Sequence, residues 1–313
     1  MSLFEIKKQY EEGVIPKKEY IDRMHERHSV LFEYADYLQC TNTGIQRIEI
    51  SEGQVIITTN TNDIKMICDP LDKRIVPIEM LNFGPYEEDV YKIIGKLIGP
   101  DSVIFDIGAN YGWYSLIFSK MFPDARIFAF EPIPSTFSYL KKNISLNNCD
   151  GIKAFNYGLS NEPGTIKFYF YPELSGNASL TNVSDREDVQ IIPCSVKRLD
   201  EFVSENNVYP DFIKCDVEGA EFLVFQGGYE TIKKSKPIIF SEMLRKWTAK
   251  FNYHPNQILG FLKNLGYRCF IPDNGQLKEF FEMDENTIET NFFFLHKEKH
   301  MNQLENLQKS VVL

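Results

Sequence analysis

Ten residues, Val103-Ile104-Phe105-Asp106-Ile107-Gly108-Ala109-Asn110-Tyr111-Gly112, constrain this chain more than any other stretch. A short apolar run ends in an acid and a glycine-bearing turn, and a helical pattern follows from Trp113 to Met121. A strand that is apolar at nearly every position is buried on both faces, which is the habit of parallel sheets. The spacing therefore predicts a strand, a tight turn and a helix, with a carboxylate near the strand's end. In open α/β sheets such turns are where ligands sit.

The same rhythm recurs along the chain. Apolar strands are predicted at 103–107, 126–130, 152–157, 211–215 and 237–241, with Phe292-Phe293-Phe294-Leu295 as a last buried strand. Helical patterns fall at 87–98, stopped by Gly99-Pro100, and at 135–147 and 222–234. Alternation of this kind predicts an α/β fold with a parallel sheet covered on both faces.

Upstream, helices are predicted at 5–12 and 17–38, then period-two strands at 47–50 and 54–58 around Ser51-Glu52-Gly53, then a strand at 64–68. The chain thus divides into a small α+β cap (1–85), a main domain (86–300) and a tail (301–313). In the tail, Met301, Leu304, Leu307 and Val311 have helical spacing, which fits a frayed helix or a homodimer contact. Strand-like runs at 165–171 and 189–196 flank a polar stretch whose length marks a functional or a disordered loop.

Composition narrows the class. With 313 residues, 43% of them hydrophobic, the chain can build one large core with an appendage. A formal net charge of −10 argues against a nucleic-acid partner. The six cysteines are scattered with no C-x-x-C pair, so neither a zinc cluster nor a disulfide framework is expected, and reduced thiols point to the cytoplasm. No apolar run approaches the ~20 residues of a membrane span. The N-terminus turns polar at once and lacks the apolar core of a signal peptide.

The turn at 106–112 has three readings. Its glycines serve backbone geometry alone, or it holds a dinucleotide, or it holds S-adenosylmethionine. A dinucleotide turn wants G-x-G-x-x-G, whose middle glycine admits a pyrophosphate. Here Asn110 and Trp113 stand at the second and third glycine positions. S-adenosylmethionine carries no phosphate; its amino-acid end suits an acid such as Asp106 and the backbone amides of Gly108, Ala109, Asn110 and Gly112. Glu131, in Phe130-Glu131-Pro132 at the end of the next strand, is placed to accept from ribose hydroxyls.

Further segments occur in order: Gly-Leu-Ser-Asn (158–161), Ala-Ser-Leu (178–180), Ile-Lys-Cys-Asp-Val-Glu-Gly-Ala-Glu (213–221) and Lys-Pro-Ile-Ile (236–239). With Asp106–Gly112 and Phe130–Pro132, they resemble the FkbM family of S-adenosylmethionine-dependent methyltransferases over roughly 87–295. Cys215 stands where that family more often has Ile or Met. The resemblance implies a Rossmann-like class I methyltransferase fold with a mostly parallel seven-stranded sheet. It also implies O-methylation of a small-molecule or glycan acceptor, a hydroxyl of a sugar or polyketide.

Methyl transfer to a hydroxyl needs an aligned nucleophile and a base, a metal, or both. Carboxylates at strand ends are the candidates: Asp216 or Glu242 as base, with Glu218 as a substrate contact. Asp216 also belongs with the cofactor set. Glu221 is expected to complement a helix N-terminus. A divalent cation, if present, would take Asp216, Glu218 and Glu242. His254 is an alternative base, Arg245 and Trp247 are candidate acceptor contacts, and Asn177 and Ser179 are candidate lid residues. Two other classes stay open: a nicotinamide oxidoreductase, and a module that binds the methyl donor without catalysis.

Overall fold

The computed structural model describes residues 1–182 and 189–309. Its strands are β1 (Ile45–Ser51), β2 (Gln54–Thr59), β3 (Lys65–Ile67), β4 (Val103–Ile107), β5 (Arg126–Phe130), β6 (Ile152–Phe155), β7 (Gly158–Leu159), β8 (Gly164–Phe170), β9 (Gln190–Lys197), β10 (Phe212–Cys215), β11 (Ile238–Glu242), β12 (Tyr267–Asp273), β13 (Gln276–Phe280) and β14 (Asn291–His296).

The central sheet has the order β13-β12-β14-β11-β10-β4-β5-β6. Strands β4, β5, β6, β10 and β11 run parallel, and β14 inserts antiparallel between β11 and β12. This is the class I methyltransferase arrangement, and it carries one strand more than the seven expected. The addition is β13, which forms a hairpin with β12 around Asn274-Gly275. Both strands escaped the sequence reading because Arg268, Pro272, Lys278 and Glu279 interrupt their apolar pattern.

Alternation along the parallel strands sends side chains to two cores. Ile104, Phe212, Phe240 and Phe293 face one side, with Phe118 of the helix Trp113–Met121. Phe105, Phe128, Phe130, Ile213 and Phe294 face the other, with Phe202. Burying each such ring stabilises the fold by about 1.5–3 kcal/mol. The 17–38 pattern is two helices, Lys17–His28 and Val30–Cys40. The 222–234 pattern is also two, Glu221–Gly227 and Tyr229–Ser235. There a side chain at Gly228 would meet Leu199 at 2.5 Å, so the break lets the two segments approach Leu199 closely.

Two smaller sheets flank the main one. In β1-β2-β3 all pairings are antiparallel, as the hairpin pattern predicted. Its edge is tied to the helix Pro134–Leu146 and its C-cap, because Asn143 and Asn147 accept from the amides of Ile67 and Lys65 at 3.0 and 2.8 Å. The sheet β7-β9-β8 holds the two runs predicted around the long loop, and β8 and β9 pair antiparallel. Residues 183–188 of that loop lie outside the described residues. Leu304, on the helix Met301–Lys309, is buried against the main core. Val311 lies outside the described residues. Among these residues no helix is long and apolar enough to cross a membrane.

Candidate functional site

The register of the sheet builds the site. Cys215 pairs with Ile107 on one side and Ser241 on the other, so β4, β10 and β11 end level. The amide of Asp216 donates to the Ile107 carbonyl at 3.1 Å, which sets Asp216 directly against Gly108. Gly108 has φ +77°, and a methyl group there would fall 1.9 Å from the Asp216 carbonyl oxygen. Only glycine satisfies both the left-handed backbone and that approach. A cavity opens over these strand ends. Gly108, Ala109, Asn110, Glu131, Asp216, Glu218 and Glu242 line it, as do Tyr86, Trp113, Tyr114 and Lys214.

Lys214 is the residue the sequence reading passed over. It is 3% exposed, and its ammonium lies 3.5 Å from Asp106 and 3.4 Å from Asp216 while donating to the Gly108 carbonyl at 2.8 Å. Burial alone would pull its pKa down; Asp216 and then Asp106 reverse this and raise it. The signal was present, since a lysine in the middle of an otherwise apolar strand has to find a buried counter-charge.

Asp106 does not line the cavity. It is fully buried beneath the turn, off the cavity wall, where it accepts from Ser115 Oγ at 2.5 Å and faces Lys214. The backbone amides of the turn, expected to face the cofactor, are hydrogen-bonded within the protein. Gly108 and Ala109 amides both donate to the Phe130 carbonyl, Asn110 to Glu131, Tyr111 to the Asn110 side chain and Gly112 to Ala109. The turn spends its donors on its own shape. Gly112 lies off the cavity, with φ +94° and Leu140 only 2.5 Å from where a side chain would begin.

Glu131 accepts from Asn110 and Ile133 amides at 2.9 and 2.8 Å, and burial pushes its pKa up to about 7. Burial pushes Glu242 up to about 9, helped by Asp216 and Glu87. Glu218 is also raised, by burial and then by Asp216 and Glu242; its backbone is left-handed, with φ 57°, and its Oε2 is buried without a hydrogen bond. Glu221 accepts from the amides of Val217 and Gly219 at 3.1 and 3.0 Å, near the start of its helix.

Other predicted residues fall elsewhere. His254 is exposed and caps the helix Pro255–Asn264, accepting from the Asn256 amide at 3.2 Å. Arg245 donates to the carbonyls of Glu285 and Thr287 at 3.0 and 3.2 Å, in a separate surface cleft. Trp247 belongs to the short helix that packs on Gly219, under the ammonium of Lys246. Local polar sequence marked all three, and their helices carry them off the cavity wall. Ser179 is buried and donates to the Glu218 carbonyl at 2.7 Å. Asn177 lies among residues of which Ser175, Gly176 and Ala178 line the cavity. Asp216, Glu218 and Glu242 share one cavity, yet no three metal-binding side chains among the described residues are grouped to hold an ion.

The cavity's near rim comes from two segments, 69–76, which carries no motif, and 173–178, from the predicted loop. Asp72, 3% exposed, accepts from the amides of Arg74 and Ser175 at 2.9 and 3.0 Å. Lys73 pairs with Glu173 through both backbone and side chains. Asn110 Nδ2 reaches Ser175 Oγ at 3.4 Å, and Tyr111 donates to Asp69 at 3.1 Å.

These walls fit S-adenosylmethionine. Glu131 offers carboxylate oxygens at the wall, Pro132, Phe168 and Val217 offer an apolar side, and the glycine at 108 lets the backbone come close. The Methyltransferase FkbM domain model matches residues 106–269. Methyltransferase 1 of Beauveria bassiana is 31% identical over 188 residues, covering 53% of this chain and 73% of that protein. The 2-O-methyltransferase NoeI of Sinorhizobium fredii is 32% identical over 165 residues (48% and 67%). The hexuronic acid methyltransferase AglP of Haloferax volcanii is 32% identical over 142 residues (45% and 56%). The nicotinamide reading falls away with these matches. A glycine turn closed at Asn110, a strand-end acid at Glu131 and the Asp216–Glu221 block are thus matched together, and the chain belongs to the FkbM family of S-adenosylmethionine-dependent methyltransferases.

Proposed function

We propose that this chain methylates a hydroxyl of a sugar or glycan precursor, with Asp216 as the base. The observation that carries this reading is the position of Asp216. Its carboxylate lies at the end of β10, on the cavity wall, between the cofactor turn and the carboxyls of Glu218 and Glu242. S-adenosylmethionine supplies a methyl group on a sulfonium, an electrophile that any aligned oxygen nucleophile can attack. Glu131 takes the ribose hydroxyls, and Gly108, Ala109 and Asn110 shape the wall beside it.

Asp216 accepts the hydroxyl proton as the oxygen becomes nucleophilic. Lys214 orients it and keeps a positive charge beside it. Glu242, held protonated by its surroundings, donates to the acceptor and does not act as base. Glu218 stands beside them as an acceptor contact. No divalent cation enters this scheme. Residues 1–85 serve as an accessory cap whose 69–76 segment helps cover the cavity. The relative named for 2-O-methylation supports a hydroxyl acceptor, and the one named for hexuronic acid methylation supports the sugar class.

The test is methyl transfer from radiolabelled S-adenosylmethionine to a panel of hydroxyl compounds, with Asp216→Asn beside the native chain. Transfer to glycosides, lost in the variant while the demethylated cofactor still binds, is expected. Full transfer by Asp216→Asn would remove the base assignment.

A further inference from the structure

Four polar side chains on the cavity wall make no hydrogen bond within the described residues: Tyr86, Trp113, Glu218 and Glu242. Trp113 is the sharpest case. It is 4% exposed, its Nε1–H is buried without an acceptor, and its ring meets Tyr86 edge-on at 6.3 Å between centroids. Glu218 Oε2 is likewise buried and unpaired. A buried donor or acceptor left without a partner is costly, and native proteins keep few of them. Groups of this kind converging on one cavity call for a ligand that supplies the missing partners.

The charges around them decide what sort of ligand. Two cations line the cavity, Lys214 and Arg74. Lys214 is already flanked by Asp106 and Asp216, and Arg74 is paired with Glu79 through both ends of its guanidinium. A carboxylate or phosphate brought here would meet the charge of Asp216 with no unpaired cation to receive it. Purely apolar acceptors would leave the indole N–H and the carboxyls unpaired. A hydroxyl serves both needs, since each one donates once and accepts twice.

We propose that Tyr86, Trp113, Glu218 and Glu242 form the acceptor subsite and select an uncharged polyol over an anionic one. The proposal rests on the reading of the chain as a hydroxyl methyltransferase. It parts from the relative named for hexuronic acid. Tyr86 lies outside the stretch matched by the family model, residues 106–269.

The chain has two tryptophans, Trp113 and Trp247, and the second lies off the cavity, so indole N–H resonances give a probe with its own control. The full chain, ¹⁵N-labelled at tryptophan and saturated with S-adenosylhomocysteine, is titrated with methyl glycosides of neutral hexoses and of the matching uronic acids. Neutral glycosides are expected to move the Trp113 signal and leave Trp247 in place. Uronates should bind at least about tenfold more weakly, the effect of one uncompensated charge. Asp216→Asn, which removes the ionised carboxylate of the wall, should narrow that gap at least about threefold. The proposal is overturned by equal binding of uronates, by neutral glycosides that leave Trp113 unmoved, or by an unchanged gap in Asp216→Asn. It is also overturned if Trp113→Phe weakens S-adenosylhomocysteine about tenfold, which would place the indole on the cofactor. Methyl transfer to phenols or simple alcohols without glycoside binding would sink this inference and leave hydroxyl methylation standing. Glycoside binding with no transfer to any hydroxyl would do the reverse.

Discussion

Lys214 donates to the carbonyl of Gly108 at 2.8 Å, so one ammonium joins the glycine turn to the strand that Asp216 follows. The same ammonium faces two carboxylates. Lys214→Met therefore leaves Asp106, fully buried, with Ser115 alone. Breaking a buried pair from one side costs about 3–5 kcal/mol. Urea unfolding should show a loss of that order, and methyl transfer should fall with it. A midpoint unchanged within error would show that Asp106 relaxes or protonates freely.

Asp216→Asn keeps the shape of the strand end and removes the proton acceptor. Transfer is expected to drop by about 10²–10⁴. Affinity for S-adenosylhomocysteine, read by calorimetry, should stay within a few-fold. Equal losses in binding and transfer would make Asp216 a cofactor ligand alone.

Asp72→Ala releases the amides of Arg74 and Ser175 together. Leaving buried donors unpaired costs about 1–3 kcal/mol each. The rim formed by 69–76 and 173–178 should loosen, which limited proteolysis would show as new cleavage in those segments. S-adenosylhomocysteine should dissociate faster. An unchanged off-rate would mean that this rim does not cover the cofactor.

The buried ionisable groups give opposite pH dependences. Glu131 and Glu242 have folded pKa values raised to about 7 and about 9, above the ordinary 4.5. Their contribution to stability is full below pH 4.5 and lost as pH rises through 7 to 9. His300 runs the other way: burial lowers it from 6.5 to about 4. The unfolded chain binds that proton first, so stability falls between pH 6.5 and 4, by roughly 3 kcal/mol at 1.36 kcal/mol per unit. Chemical denaturation across pH should show Glu242→Gln gaining on the native chain as pH rises and His300→Gln gaining as it falls. Parallel curves would contradict both assignments.

The predicted strands at 103–107 and 126–130 match β4 and β5 residue for residue, because both are buried on two faces and read as unbroken apolar runs. Strands β12 and β13 were illegible for the converse reason. They lie at the sheet's outer side, where charged residues such as Arg268 and Glu279 can pair across the hairpin at 2.6 and 2.7 Å. At the site, the places of Glu131 and Asp216 on the cavity wall were legible because strand ends announce themselves. Tyr86 and Trp113 were not, being two aromatics in a chain with 25 Phe and 16 Tyr.

By itself, the sequence determined the sheet, its glycine turn and the family, since these depend on local pattern: apolar runs, glycine where φ is positive, an acid after a strand. Tertiary structure decided what that pattern could not reach. It set Asp106 beneath the cavity floor against Lys214, occupied the turn's amides internally, and carried His254, Arg245 and Trp247 off the cavity. It also brought Tyr86 and Asp72, distant in sequence, to the same rim. A side chain's chemistry follows from its neighbours' charge and from water's absence, and both are set by packing between segments far apart along the chain.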